Sequence, residues 1–398
     1  MGLFRRNPGS EVGLLGPWIL NQSVCEFSKI EVANMNKGPR ARIWALTILI
    51  LAPLAPAQTY NITDLGTFPG GSVSQGQAIS NCGLVAGYAR FANFNAHGFL
   101  WSKRDGLRDL GAIPPASNFS VAQAINASGD VAGYSDHGEG LNEHAVLWIH
   151  GKIHDLGTLP GGTISEAMGM NDRGDIAGFS NSGLNSPHGF LLRRSNDTRV
   201  LGAMQDLGTL SGGYYSQALA INNRGQVVGF SNAADGNWHG FLWTKSSGMH
   251  SLPYLPGGGN ASANGISSRG QIAGGSSFGG CGFCAHAVLW NPDDLGNEEV
   301  SVQDLGTLPT AGWSTAFAAN DRGQVVGWSG FHAFVWSRGS GMQDLNDMIP
   351  RNSGWFLTIA TAINMRGQIT GEGVINGQQH AFLLTPISEQ SDECSGEE

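Results

Sequence analysis

An all-β, seven-bladed β-propeller is the fold this sequence predicts, on three observations. Glycine supplies 60 of the 398 residues and charged residues only 13%, about twice and about half the usual shares. That balance favours tight turns over helices and excludes coiled coils and charge-driven disorder. One segment, DLGTLPGG at Asp155, returns as DLGTFPGG at Asp64 and DLGTLSGG at Asp206, with weaker copies from Asp109, Ser251, Asp304 and Asp344. Successive copies start 45, 46, 51, 45, 53 and 40 residues apart. This is the length of a four-stranded blade; solenoid repeats are usually shorter or helical.

Each unit divides into the same four β segments, as residues 215–252 illustrate. The first, Ser216–Ile221, sets Ser216, Ala218 and Ala220 on one face and larger residues on the other. Asn222-Asn223-Arg224-Gly225 is a hairpin turn, in which Asn initiates and Gly supplies the positive φ. The second segment, Gln226 to Ser231, contains Gly229. The third, His239 to Trp243, puts His239, Phe241 and Trp243 on one face. The fourth runs from Met249 into Leu255.

The turn recurs at Ser80/Gly83, Asn126/Gly129, Asn171/Gly174, Ser267/Gly270, Asn320/Gly323 and Asn364/Gly367. The second-segment glycine recurs at Gly87, Gly133, Gly178, Gly274, Gly327 and Gly371. Small first segments suit a crowded ring around a central channel, and bulky third segments the space between blades. The repeats open with Tyr60 to Phe68, a fourth-type strand with no blade before it. They close with His380 to Leu384, a third-type strand with no fourth after it. Pairing of these two is expected to complete the last blade and remove both free edges.

Outside the repeats, residues 35–57 resemble a signal peptide. Lys37, Arg40 and Arg42 precede an apolar run from Ile43 to Leu54, and Ala55-Pro56-Ala57 offers a cleavage site after Ala57. The run is too short for a stable bilayer anchor. Met35 is the expected start of translation, with residues 1–34 an unstructured upstream extension. Residues 58–385 form the propeller, and 386–398 an acidic disordered tail. Without residues 1–57 the chain keeps 16 basic and 28 acidic residues, a net charge of −12, which argues against nucleic-acid binding.

The repeats also carry FHAFVW (His332, Ala333, Phe334) and HAFLL (His380, Ala381, Phe382), joined to DLGTLPGG and AINNRGQVVG. In this the sequence resembles the HAF family of bacterial extracellular repeat proteins, over nearly the whole repeat region. It departs where Ser251 replaces Asp, where the second unit lacks its Gly pair, and where copies read HGF or HAV. The resemblance implies an extracellular location and no established activity.

Several residue sets have the composition of chemical sites. His97, His144, His188, His239, His286, His332 and His380 occupy one repeat position. A hydroxyl opens the first strand at Ser74, Ser120, Ser165, Ser216, Ser314 and Thr358, and Asp precedes Leu in six of seven units. A triad needs one such set in a cleft; copies around a ring read as a structural hydrogen-bond network. Cys281-Gly282-Phe283-Cys284 with His286 falls short of four zinc ligands, so a local disulfide or free thiols is expected, with no metal or other cofactor. A second bond, between Cys82 and Cys394, is expected where units seven and one meet.

Position-specific aromatics on one rim suit stacking on sugars or gripping an extended peptide, or else cap blade cores. They are Phe119, Tyr214, Tyr215, Trp313, Trp355 and Phe356 between blades, and Phe91, Phe94 and Trp238 between second and third strands. Charged residues that break the repeat are few: Asp136, His137, Glu139, Glu143 and Asp235. The expected protein is therefore a secreted, monomeric, non-catalytic binding or scaffold module for a glycan or protein ligand. The alternative is an extracellular propeller enzyme such as a glycan hydrolase or lyase.

Overall fold

The computed structural model describes residues 60–114, 118–137, 142–183, 186–194, 202–279, 284–291 and 300–387. These residues form seven four-stranded antiparallel sheets. Blade 1 runs Ser74–Ile79, Val85–Arg90, Ala96–Ser102 and Gly106–Asp109, each strand bonded to the next. Blades 2 to 6 repeat this order from Ser120, Ser165, Ser216, Ala261 and Ser314. Blade 7 supplies Trp355–Ile363, Ile369–Ile375 and Gln378–Pro386, and its outermost strand is Tyr60–Gly66. First strands of neighbouring blades pack side by side, blade 7 against blade 1 included. The protein is a closed seven-bladed β-propeller.

Closure follows the expected pairing with shifted ends. Tyr60 pairs with Pro386, Ile62 with Leu384 and Gly66 with Ala381. The first strand stops at Gly66, short of Phe68, because Gly66 turns the chain with φ 75°. Across the junction, the Ala381 N–H donates to Ser74 Oγ at 2.9 Å, Thr361 Oγ1 to the Gly76 carbonyl at 2.7 Å, and Asn364 Nδ2 to the Ser80 carbonyl at 2.9 Å. Residues 1–57 and the tail from 388 onward lie outside the described residues. Among the described residues no helix is long and apolar enough to cross a membrane.

The recurring second-strand glycine has a steric cause. In blade 4 the pairing of first and second strands slips between Ala218 and Ala220, a bulge repeated in every blade. A Cβ on Gly229 would stand 1.9 Å from the Gln217 carbonyl oxygen; at Gly178 it would meet the Glu166 carbonyl at 2.0 Å and the Phe190 ring at 2.8 Å. No side chain fits there. The hairpin turns are held by their Asn: Asn222 Oδ1 accepts from the N–H groups of Arg224 and Gln226, and Gly225 has φ 75°.

The core is divided among the seven blade interfaces. Between blades 3 and 4, Leu191 and Leu207 meet Phe241, Trp243 and Val227. Between blades 7 and 1, Leu65 and Leu383 meet Phe99 and Trp101. Burying each such side chain contributes about 1.5–3 kcal/mol. Third strands therefore fill the wedges between blades, as their bulk predicts.

Candidate functional site

The blade order puts second-to-third loops and inter-blade linkers on one face, here the upper. Hairpin turns of the Asn222 type lie on the lower. On the upper face the DLG motif works as a staple. His188 Nδ1 lies 3.0 Å from the Asp206 carboxylate, whose Oδ1 accepts the Gly208 N–H at 2.7 Å. The Gly208 carbonyl accepts from Ser216 Oγ at 2.6 Å, and Ser216 in turn accepts the Gly189 N–H at 2.8 Å. The circuit ties blade 3 to blade 4. It recurs with His97–Asp109–Ser120, His144–Asp155–Ser165, His286–Asp304–Ser314 and His380–Asp64–Ser74.

Two interfaces depart from it. His332 still meets Asp344 at 2.5 Å, but the Asn346 side chain bridges to Leu357, and Thr358 Oγ1 bonds the Glu372 carbonyl within its own blade. Where Ser251 replaces the repeat Asp, His239 Nε2 turns to Asp235 at 3.0 Å and to the Tyr254 hydroxyl at 2.7 Å. Hydrogen bonds from the Asn237 backbone and from His239 hold the Asp235 carboxyl below its usual range. Burial and then the Asp235 charge push the Tyr254 hydroxyl up. Asp235 thus breaks the repeat in sequence and restores its bonding in space.

The aromatics divide into two groups. Phe94 (78% exposed), Tyr214 (66%), Phe331 (63%) and Phe356 (42%) stand out from the upper face. The others are half-buried: Phe119 against Tyr134, Tyr215 and Trp238 around Phe230, Trp313 against Phe331, and Trp355 against His380 and Phe382. Phe91 is also half-buried, stacked on Phe68. Phe331, which the sequence reading missed, meets the Trp313 ring edge-on at 5.7 Å. Phe94 and Phe331 occupy left-handed backbone, with φ 68° and 71°, which costs about 1–2 kcal/mol for a side chain with a Cβ. Both stand in turns between second and third strands, where the hairpin itself calls for that backbone, and neither recovers the cost by burial.

Blade 2 carries most of the repeat-breaking charge. Asp136 accepts the N–H groups of Asn118 and Phe119, a loop-holding role. Glu139 lies outside the described residues. Glu143 hydrogen-bonds Glu166 of blade 3, the one charged side chain on the seven first strands. Glu166 keeps part of its surface accessible while its carboxyl is enclosed. Burial and then the Glu143 charge push that carboxyl well above the usual range. Burial followed by the Glu166 charge also raises two phenols: Tyr134 well above its ordinary value, and Tyr215 to about 12.

His137 stacks on His144 at 4.1 Å with an 8° interplanar angle and lies 3.6 Å from Asp155. Ligand atoms of these three residues lie within 4.8 Å of one another. Stacked imidazoles aim their lone pairs in parallel and not at one point, so the trio does not fit a metal ion. Cys82 and Cys284 each take part in a disulfide; the partners expected for them, Cys394 and Cys281, lie outside the described residues.

Neither a family model nor a curated relative matches the sequence. Solved structures do show a likeness. A chain described as oligogalacturonate lyase in complex with manganese is 11% identical over 83% of this chain and 94% of its own, with TM-score 0.48. The β-propeller domain of the Trilobed protease from Pyrococcus furiosus is 8% identical over 84% and 100%, with TM-score 0.47. A chain of the mitotic checkpoint complex is 14% identical over 90% and 99%, with TM-score 0.46. At these identities and scores none of them speaks to what this chain binds or does.

Proposed function

We propose that the protein is an exported, non-catalytic propeller that binds a ligand on its upper face, a glycan or an extended peptide. The observation that carries this reading is the exposure of Phe94 and Phe331 in left-handed backbone. With Tyr214 and Phe356 they offer flat apolar surfaces on the upper face, and such surfaces suit sugar faces or peptide side chains. The same reading takes residues 35–57 as the export signal and the repeated motifs as those of an HAF-type extracellular protein.

A second reading, a propeller enzyme acting on a glycan, is favoured by the Glu143–Glu166 pair. A carboxyl whose titration is raised by burial beside another carboxylate has the makings of a general acid. A glycan and peptide array of the exported protein tests both readings. Binding lost in the Phe94→Ala/Phe331→Ala variant at unchanged melting temperature supports the first. Array signal that the double variant leaves intact refutes it. Cleavage of a bound glycan that disappears in Glu166→Gln installs the second.

A further inference from the structure

Phe331 sits where the hairpin is best served by glycine. Three hairpins among the described residues turn in two residues, with Ile149 paired to Lys152, Ile375 to Gln378 and Ser329 to His332. Such a turn needs positive φ at both central positions, and glycine supplies it without a steric cost. His150-Gly151 (φ 50° and 74°) and Asn376-Gly377 (51° and 76°) put glycine second. Blade 6 instead puts Gly330 first (53°) and Phe331 second (71°). An exposed ring is thus kept at a position where the turn alone favours none.

Around that ring stand two indoles with unused donors. Phe331 meets the Trp313 ring edge-on at 5.7 Å and the Trp328 ring at 6.2 Å and 60°. Trp328 is buried and Trp313 half-buried, and the Nε1–H groups of both are enclosed without a hydrogen-bond partner. A buried indole N–H ordinarily finds an acceptor, as Trp290 does at the Pro253 carbonyl, 2.9 Å away. Trp148 also lacks one, but it lies in the core of blades 1 and 2. Two orphaned donors on rings that touch one exposed phenylalanine point to acceptors supplied from outside. With most of its surface in water, Phe331 can swing aside at little cost and uncover both N–H groups.

We propose that Trp313, Trp328 and Phe331 form a docking site for a proline-rich peptide in the polyproline II conformation. The three side chains offer flat apolar faces and N–H donors, with no acceptor and no charge. Proline offers the complement: an apolar ring, a backbone carbonyl and no N–H, in a chain already extended before it binds. A sugar fits less well, because each hydroxyl it buries brings a donor that needs an acceptor. The adjoining polar side chain, His332, is engaged by Asp344. This site rests on the reading of the upper face as a binding face and assigns that face its ligand.

Fluorescence anisotropy of fluorescein-labelled decaproline titrated with the full chain tests the proposal. Saturable binding is expected, and a Gly-Ser decapeptide should show none. Phe331→Gly restores the usual turn residue, and Trp313→Phe keeps a ring while removing the N–H. Each should weaken binding at least about fivefold at unchanged melting temperature. Phe94→Ala, in the second-to-third loop of blade 1, should leave binding intact; its loss there overturns the assignment to blade 6. Absence of decaproline binding, or binding that both blade 6 variants preserve, overturns the proposal. Displacement of decaproline by cellohexaose or chitohexaose at lower concentrations than by unlabelled decaproline overturns the peptide assignment and leaves the upper-face reading standing.

Discussion

Ser74 and Ser216 make the same two bonds at two different interfaces, which turns ring closure into a measurable quantity. Ser216 joins blade 3 to blade 4, whereas Ser74 joins the two ends of the chain through Gly66 and Ala381. Both side chains are fully buried. Replacing either by Ala removes the hydroxyl that one backbone carbonyl and one N–H are bonded to in the fold's interior. Each orphaned group costs about 1–3 kcal/mol, so each variant should lose roughly 2–4 kcal/mol once partial relaxation is allowed for. Urea denaturation followed by tryptophan fluorescence reads the loss directly. Equal losses mean that the junction between the first and last strands is as firm in solution as any other. A Ser74→Ala loss below about 0.5 kcal/mol beside a full Ser216→Ala loss would refute the closed ring. Small losses in both would refute the staple as the element joining blades, since burial of unpaired polar groups leaves no room for a neutral result.

Gly229→Ala should cost about 3 kcal/mol or more, because the added methyl overlaps the Gln217 carbonyl in a packed strand pair; a melting temperature close to the parent's would disprove the bulge explanation. Glu166→Gln should stabilise the protein at pH 7 and not below about pH 4. The folded carboxyl titrates above the unfolded value of 4.5, so stability falls as pH rises between the two values, by about 1.4 kcal/mol for each pH unit separating them. Denaturation at both pH values checks the sign, and a variant destabilised at pH 7 contradicts it. Phe94→Gly should leave stability unchanged or raise it by up to about 1 kcal/mol, as relief of the left-handed backbone offsets glycine's entropy; a clear loss would mean that Phe94 supports the fold.

The blade count and the pairing of the chain ends are legible in the sequence because one unit recurs with its turn, glycine and histidine in fixed order. What the repeats hide is why each position recurs. Gly229 can be located by pattern, but the carbonyl that excludes its side chain belongs to a bulge visible only in the register. Glu166 is hidden for another reason: it lies inside a repeated strand, where side chains read as core, and not in a loop. Its signal is present all the same, since no other first strand carries a charge. Phe331 escapes because its second-to-third loop shrinks to Gly330 and Phe331.

The staple between His380 and Asp64 spans 316 residues of sequence. During synthesis Tyr60–Gly66 emerges first, yet its partner strand Gln378–Pro386 emerges last. Every earlier blade can form from neighbouring segments as they appear, but the first strand must wait for nearly the whole chain. Until then the opening strand has no sheet to join and blade 1 shows an uncovered flank. Contacts this distant in sequence form slowly, so completion of the last blade should be the final step of folding. A chain that stops short of Gln378 would leave an open arc with two unpaired edges, a natural substrate for proteases and for association with its own kind.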